Sequence, residues 1–224
     1  YLTVNFHASE RLILHQMITD KIAKTIAKYN MLKSGDTVVV GVSGGADSML
    51  LLNYLFDNKE RYNINLIAAN VEHGIRGEDS LNDTEFVKSF CQEKGIDFRC
   101  VSINAKENAK AEKLGVEEYS RNKRYDFFNS VGADKIATAH NLTDNAETLL
   151  FRLVRGTSNK GAGAIPPVRD NIIRPLIECT SKEIREYCKE KGIPYVVDKT
   201  NFENGYSRNY IRNEILPLLE RLNP

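Results

Sequence analysis

Apolar positions along the chain fall into two alternating rhythms. Leu12, Ile13, Met17, Ile18, Ile22 and Ile26 recur at helical spacing, and the pattern predicts a helix over Ser9–Tyr29 with Ser9 as N-cap. A Ser34-Gly35-Asp36 turn then leads into a Val-rich run, Thr37–Val42, that reads as a buried strand, and an apolar helix is predicted over Ala46–Phe56. The alternation continues. Strands are predicted at Asn65–Val71, Ile96–Ile103 and Lys135–Ala139, and helices at Ser80–Lys94, Val116–Val131 and Thr143–Val154, ended by Gly95, Gly132 and Gly156.

This strand–helix repetition predicts an α/β domain: a Rossmann-like parallel sheet of about five strands with helices on both faces. After Gly156 the texture changes. Residues 156–167 are rich in glycine and proline and read as a long loop, followed by a helix at Ser181–Lys191, a short strand at Tyr195–Val197 and a last helix at Ser207–Leu222. Three segments are therefore expected: a helix packed on the domain (1–34), a catalytic domain (35–205), and a terminal helix (206–224) leading to C-terminal domains not included in this sequence.

Composition narrows the class. At 224 residues, 42% hydrophobic and 27% charged, with a net charge of +1, the chain suits a folded soluble domain rather than a disordered one. No apolar run approaches the roughly 20 residues that span a bilayer and no signal peptide is visible, so no membrane partner and a cytoplasmic location are expected. Cys91, Cys100, Cys179 and Cys188 form no C-x-x-C pair, which argues against the usual zinc, iron–sulfur and dithiol spacings. Residues 151–224 hold 13 Lys+Arg against 9 Asp+Glu, an excess open to two readings: a face for a polyanion, or solvated helix surface.

The strongest chemical signal is Gly41-Val42-Ser43-Gly44-Gly45-Ala46-Asp47-Ser48, between a strand and a helix. It lacks the Gly-Lys-Ser/Thr of a Walker A loop and is not G-x-G-x-x-G. Gly44 and Gly45 let backbone N–H groups approach an anion, the helix start at Ala46 adds positive potential, and Ser43 and Ser48 can donate hydroxyl hydrogen bonds. A lysine-free loop suits a pyrophosphate that departs with Mg²⁺, and Asp47 is the expected metal ligand. In a parallel sheet all strand C-termini share one edge. His73 and Arg76 after the second strand, His140 after the fourth, and Asp144 and Glu147 at the next helix start therefore converge with Ser43 where doubly wound folds bind ligands. Singly, each has a plainer reading: the histidines as capped strand ends, the acids as complements of a helix dipole, and Arg121 and Arg124 as partners of Glu117 and Glu118. His7 and His15 read as structural.

Taken together these motifs resemble the tRNA(Ile)-lysidine synthetases of the PP-loop ATP pyrophosphatase superfamily. Ser43–Ser48, Val71–Arg76, Glu117–Tyr125, Ala137–Thr148, Arg155–Thr157, Asp198–Asn201 and Arg208–Arg212 occur in that family's order, over roughly residues 35–215. Glu72, Ser120, Ala162 and Ala164 depart mildly from its pattern. The resemblance implies that ATP adenylates the wobble cytidine of isoleucine tRNA with a CAU anticodon, and that free lysine then displaces AMP. It implies nucleotide binding by Ser43, Gly44, Gly45, Ala46, Asp47, Ser48, His73 and Arg76, with Mg²⁺ on Asp47. Asp144 and Glu147 would take the lysine ammonium, and Arg121 its carboxylate or a phosphate. Asp47, His140, Asp144, Glu147 and Arg121 would carry the chemistry. Arg124, Asn201, Arg208, Asn209 and Arg212 would face tRNA or brace the site, and a homodimer is conceivable. Three rivals remain: a PP-loop tRNA thiolase, disfavoured by the cysteine spacing; an amidotransferase-type synthetase, disfavoured because no glutaminase segment is evident; and a non-catalytic ATP-binding module.

Overall fold

A computed structural model describes residues 18–74, 77–156, 163–197 and 207–222. The predicted helical start at Ser9, together with His7 and His15, lies outside them. Its visible part, α1 (residues 18–28), buries Ile18, Ile22 and Ile26 in the main core.

Strands β1 (Thr37–Gly41), β2 (Asn65–Glu72), β3 (Asp97–Ser102) and β4 (Lys135–Ala137) are parallel, in the order β3-β2-β1-β4. They alternate with α2 (Ala46–Asp57), α3 (Lys59–Tyr62), α4 (Glu78–Lys94), α5 (Ala105–Ala111) and α6 (Val116–Ser130), and β4 leads into α7 (Leu142–Val154). The short α3 and α5 were not expected: four and seven residues hold too few apolar positions to display a helical period.

Two further strands complete a six-stranded sheet. β5 (Val168–Arg169) and β6 (Ile172–Ile173) form an antiparallel hairpin, and β6 pairs parallel with β4. Asp170 takes a left-handed φ of 56° in the turn, a conformation aspartate tolerates. The predicted strand Tyr195–Val197 is not one. Its Tyr-Val-Val sequence has strand propensity, but among the described residues it joins no sheet; the Val196 N–H donates to the Gly44 carbonyl at 2.9 Å and Tyr195 packs against the main core.

The β1 residues divide the core by the strand period of two. Val38 and Val40 pack with α1, α2, α4 and α8 (Ser181–Lys191) on one face, and Val39 packs with Ala69, Ile136 and Phe128 of α6 on the other. Successive strands are added on one side of β1 (β2, β3) and then on the other (β4), so the ligand crevice of a doubly wound sheet opens beyond the C-terminal ends of β1 and β4. The last predicted helix is segmented: α9 (Ser207–Tyr210) passes through a π-helical stretch (Ile211–Ile215) into α10 (Leu216–Leu222), packed against α7. Among the described residues no helix is long and apolar enough to cross a membrane.

Ser120 on α6 is buried and its hydroxyl has no hydrogen-bond partner among the described residues. An alanine there removes an unsatisfied polar group and improves helix propensity, so Ser120→Ala is expected to stabilise the fold by about 1 kcal/mol. Denaturant melts of the two proteins would measure this, and a destabilised variant would contradict it.

Candidate active site

Beyond β1 the chain turns through Ser43, Gly44 and Gly45 into α2. Gly44 has φ +89°, and although a Cβ there would only touch Phe86, Val87 and Val196 at 3.6–3.7 Å, the left-handed backbone itself favours glycine. Gly45 caps α2 without a side-chain hydrogen bond, which leaves the first N–H groups of the helix turned toward the crevice. Ser43 is exposed, whereas Ser48 is buried and folds the loop: its hydroxyl accepts from the Ser43 N–H at 3.2 Å and donates to the Gly45 carbonyl at 2.9 Å. The two hydroxyls stand 3.3 Å apart.

Asn70, a polar residue within the apolar β2 run, is a support that sequence reasoning missed. It is buried, donates to the Val42 carbonyl at 2.7 Å and accepts from Thr84 at 3.0 Å, so it ties the loop to β2 and α4.

Asp144 is fixed by a capping box at the start of α7. Asn141 accepts from the Asp144 N–H at 2.9 Å, and the Asp144 carboxylate accepts from the Asn141 N–H at 3.0 Å. Glu147, one turn on, is buried. Both acids meet Arg212, which projects from the π-helical stretch, a geometry found often at functional sites. Its guanidinium donates through Nε and Nη2 to Glu147, the latter at 3.1 Å, and reaches Asp144 at 3.2 Å. Arg212 thus braces the acid pair.

Asp47 lies close to Asp144. Burial first, and then the charge of Asp144, push its carboxyl from 3.8 up to about 6, against the pull of Asn141, Arg185 and Arg212. Such a group is protonated more readily in the fold than in the unfolded chain, so it costs stability as pH rises through roughly 4 to 6. Asp47→Asn is therefore expected to raise Tm at pH 8 and to lose that advantage near pH 4.5. Equal effects at both pH values would contradict the burial of this charge. Among the described residues no three His, Cys, Asp or Glu side chains form a closed metal cage. Two neighbouring carboxylates and serine hydroxyls are the oxygen donors that Mg²⁺ accepts alongside water and phosphate.

The opposite side of the crevice is basic. Arg124 and Arg121 project from α6, with Arg121 5.5 Å above the Tyr125 ring. His73 Nε2 lies 3.1 Å from the Arg124 guanidinium, and burial together with that charge lowers the imidazole to about 4. His73 is neutral near pH 7, so positive charge on this side comes from the arginines. His140 is oriented through Nδ1 by Thr138, 3.0 Å away. Arg174, directly after β6, is a further basic residue that sequence reasoning missed; its signal was a lone charge ending the apolar Ile172-Ile173 pair.

One cavity of about 790 Å³ is lined by Ser43, Gly45, Asp47, Ser48, His73, Arg121, Arg124, His140, Asp144, Glu147, Arg174, Asn209 and Arg212. Of the residues expected from sequence, Arg76 and Asn201 lie outside the described residues, as does the side chain of Arg208. A second cavity of about 790 Å³, bordered by Asp20, Asp57, Lys94 and Tyr187, receives none of the predicted site residues.

A family model described as a PP-loop domain matches residues 14–219. The chain belongs to the PP-loop domain family. Within that family it is similar to the tRNA(Ile)-lysidine synthase of Clostridium tetani, with 45% identity over 90% of this chain and 44% of the relative. The enzymes of that name from Thermosipho africanus and Clostridioides difficile are 42% and 43% identical, over 92% and 91% of this chain and 49% and 45% of theirs. The chain spans a little under half the length of these relatives. Among solved structures, the U34-tRNA thiolase NcsA from Methanococcus maripaludis with its [4Fe-4S] cluster aligns with a TM-score of 0.79 at 24% identity, over 95% of this chain and 75% of that one. The NMN synthetase from Francisella tularensis aligns at 0.57 and 14%, over 95% and 91%. These likenesses show the PP-loop fold and no more. Cys91, Cys179 and Cys188 of this chain are buried thiols, which burial pushes up to about 11, 12 and 12.

Proposed function

We propose that this chain is the nucleotide-activating part of a tRNA(Ile)-lysidine synthase, a carbon–nitrogen ligase that uses ATP to join free lysine to the wobble cytidine of isoleucine tRNA with a CAU anticodon. The observation that carries the reading is the meeting, in one cavity, of a lysine-free anion loop and a paired-acid seat that already holds a side-chain cation. The 45% identity to a lysidine synthase supports the same assignment.

Ser43, Gly44, Gly45, Ala46 and Ser48 would hold the leaving pyrophosphate against the uncapped start of α2. Asp47 would hold a Mg²⁺ that offsets charge on that leaving group. Arg121 and Arg124 would stabilise negative charge on the nucleotide side, next to a neutral His73. The cytidine 2-oxo group attacks the α-phosphorus, the bond to pyrophosphate breaks, and an adenylated base results.

Lysine arrives as an ammonium with a reference pKa of about 10.4 and must lose a proton before it attacks. Asp144 and Glu147 would bind and orient it, and His140, set by Thr138, would take part in the proton transfer. Attack at the activated carbon expels AMP and forms lysidine. Arg212 would keep the two acids ionised and in place, and with Arg208 and Asn209 would border the tRNA side.

The test is tRNA-dependent exchange of labelled pyrophosphate into ATP. Exchange with the wobble-cytidine transcript, and none with a wobble-uridine transcript, supports base adenylation. ATP binding without any AMP formation would instead favour a non-catalytic nucleotide-binding module.

A further inference from the structure

We infer that Arg174 is an additional nucleotide-binding residue, which seats the α-phosphate of ATP and of the adenylated intermediate together with Arg121. This rests on the ATP reading above.

Arg174 follows β6 at the C-terminal edge of the sheet. Ile173, the residue before it, pairs with Ala137 and accepts from the Thr138 N–H at 3.0 Å. Arg174 therefore stands level with the β4 end that carries Thr138 and His140.

Only 3% of its surface is exposed, yet it borders the same cavity as the glycine loop. Its Nη1 donates to the Pro166 carbonyl at 2.7 Å, and the Tyr125 side chain lies beside the guanidinium. The Nε–H is buried without an acceptor among the described residues. The charges acting on it are like charges, Arg121 and Arg169, and among the described residues no carboxylate pairs with it. A buried cation with no counter-charge and an unmade hydrogen bond is costly, and an anionic ligand would supply both missing partners.

Burial selects among anions. Arg152 and Arg169 are exposed and suit a polynucleotide backbone passing over the surface. Arg174 is out of reach of such a strand and accessible only to a group that enters the cavity. The glycine loop and the start of α2 already serve the departing end of the triphosphate. Arg174 lies two strands away from β1, roughly 10 Å at the usual strand spacing. That places it on the side of the α-phosphorus and the base rather than of the leaving group. Tyr125 lies between the two arginines: Arg121 stacks on its ring, and Arg174 stands beside its side chain. A planar fork held this rigidly is pre-aimed at phosphate oxygens.

The test compares AMP, adenosine and magnesium pyrophosphate by calorimetry on the unaltered chain, Arg174→Gln and Arg174→Lys. AMP should bind the unaltered chain about tenfold or more tighter than adenosine, the usual worth of charged hydrogen bonds. Arg174→Gln should erase that difference while the affinities for adenosine and pyrophosphate stay unchanged, and Arg174→Lys should restore part of it. A strut that merely held Pro166 would weaken all three ligands together or none of them, and either result overturns the proposal.

Should Arg174→Gln fail to fold, the Arg174 Nε–H resonance of the unaltered chain decides. It must shift on addition of AMP and not of adenosine, and an unmoved resonance refutes the assignment. Binding of neither AMP nor adenosine would overturn the ATP reading itself, whereas equal binding of both would overturn only the role of Arg174.

Discussion

Asp144→Asn is expected to raise the lysine KM by about ten- to a hundredfold, or to abolish transfer, while ATP still binds. The asparagine keeps an oxygen that can accept from the Asn141 N–H, so the capping box that starts α7 survives, but the negative charge is gone. Removing one charge from a desolvated ion pair weakens recognition of a cation by about 2–5 kcal/mol, of which Glu147 recovers part here. The loss should therefore fall on the amine and not on the nucleotide. Asp144→Ala removes cap and charge together and should show the same selectivity on a less stable protein. The measurement is lysine KM against ATP affinity in the same preparation. Lost ATP binding with unchanged lysine affinity would refute the assignment of Asp144 to the amine.

Gly41→Ala is expected to destabilise the fold by about 1–3 kcal/mol and to impair the site as well. A Cβ at Gly41 would stand 2.7 and 2.8 Å from two carbons of the Phe128 ring, distances that force something to move. The ring is buried in the second core, packed edge-on against Tyr125 with centroids 6.2 Å apart. Relief requires a shift of α6, and α6 also carries Arg121 and Arg124. A Tm drop of several degrees should accompany weaker AMP binding. Phe128→Leu in the same chain should restore part of both, and a double-mutant cycle should show strong non-additivity. Simple additivity would mean that the ring does not oppose the new methyl group.

The sheet was legible where apolar runs were long. Val38, Val39 and Val40 announce a strand buried on both faces, and Gly95 ends its helix in left-handed conformation. Convergence of the loop, His140, Asp144 and Glu147 followed from parallel topology alone, and one cavity is lined by these three side chains together with Ser43, Gly45, Asp47 and Ser48, though not by Gly44 or Ala46. The hairpin at Val168–Ile173 was not legible, because two-residue strands carry no period. Tyr195–Val197 misled for the opposite reason: strand propensity without a neighbouring strand to pair with. Arg174 went unread because burial is a tertiary property, and an arginine after two isoleucines looks in sequence like any strand end. Asn141 was similarly hidden, since its role lies in the capping box that it forms with Asp144.

The most direct test of the central claim is transfer of labelled lysine to a CAU-anticodon isoleucine tRNA transcript. It should be run with magnesium and ATP at high protein concentration, with AMP release followed in parallel. Label on the wobble-cytidine transcript, one AMP per lysine transferred, and none on a wobble-uridine control is the predicted result. AMP release with no labelled tRNA, in this chain and in a protein extended to the full length of its relatives, would contradict the assignment of lysine to Asp144 and Glu147.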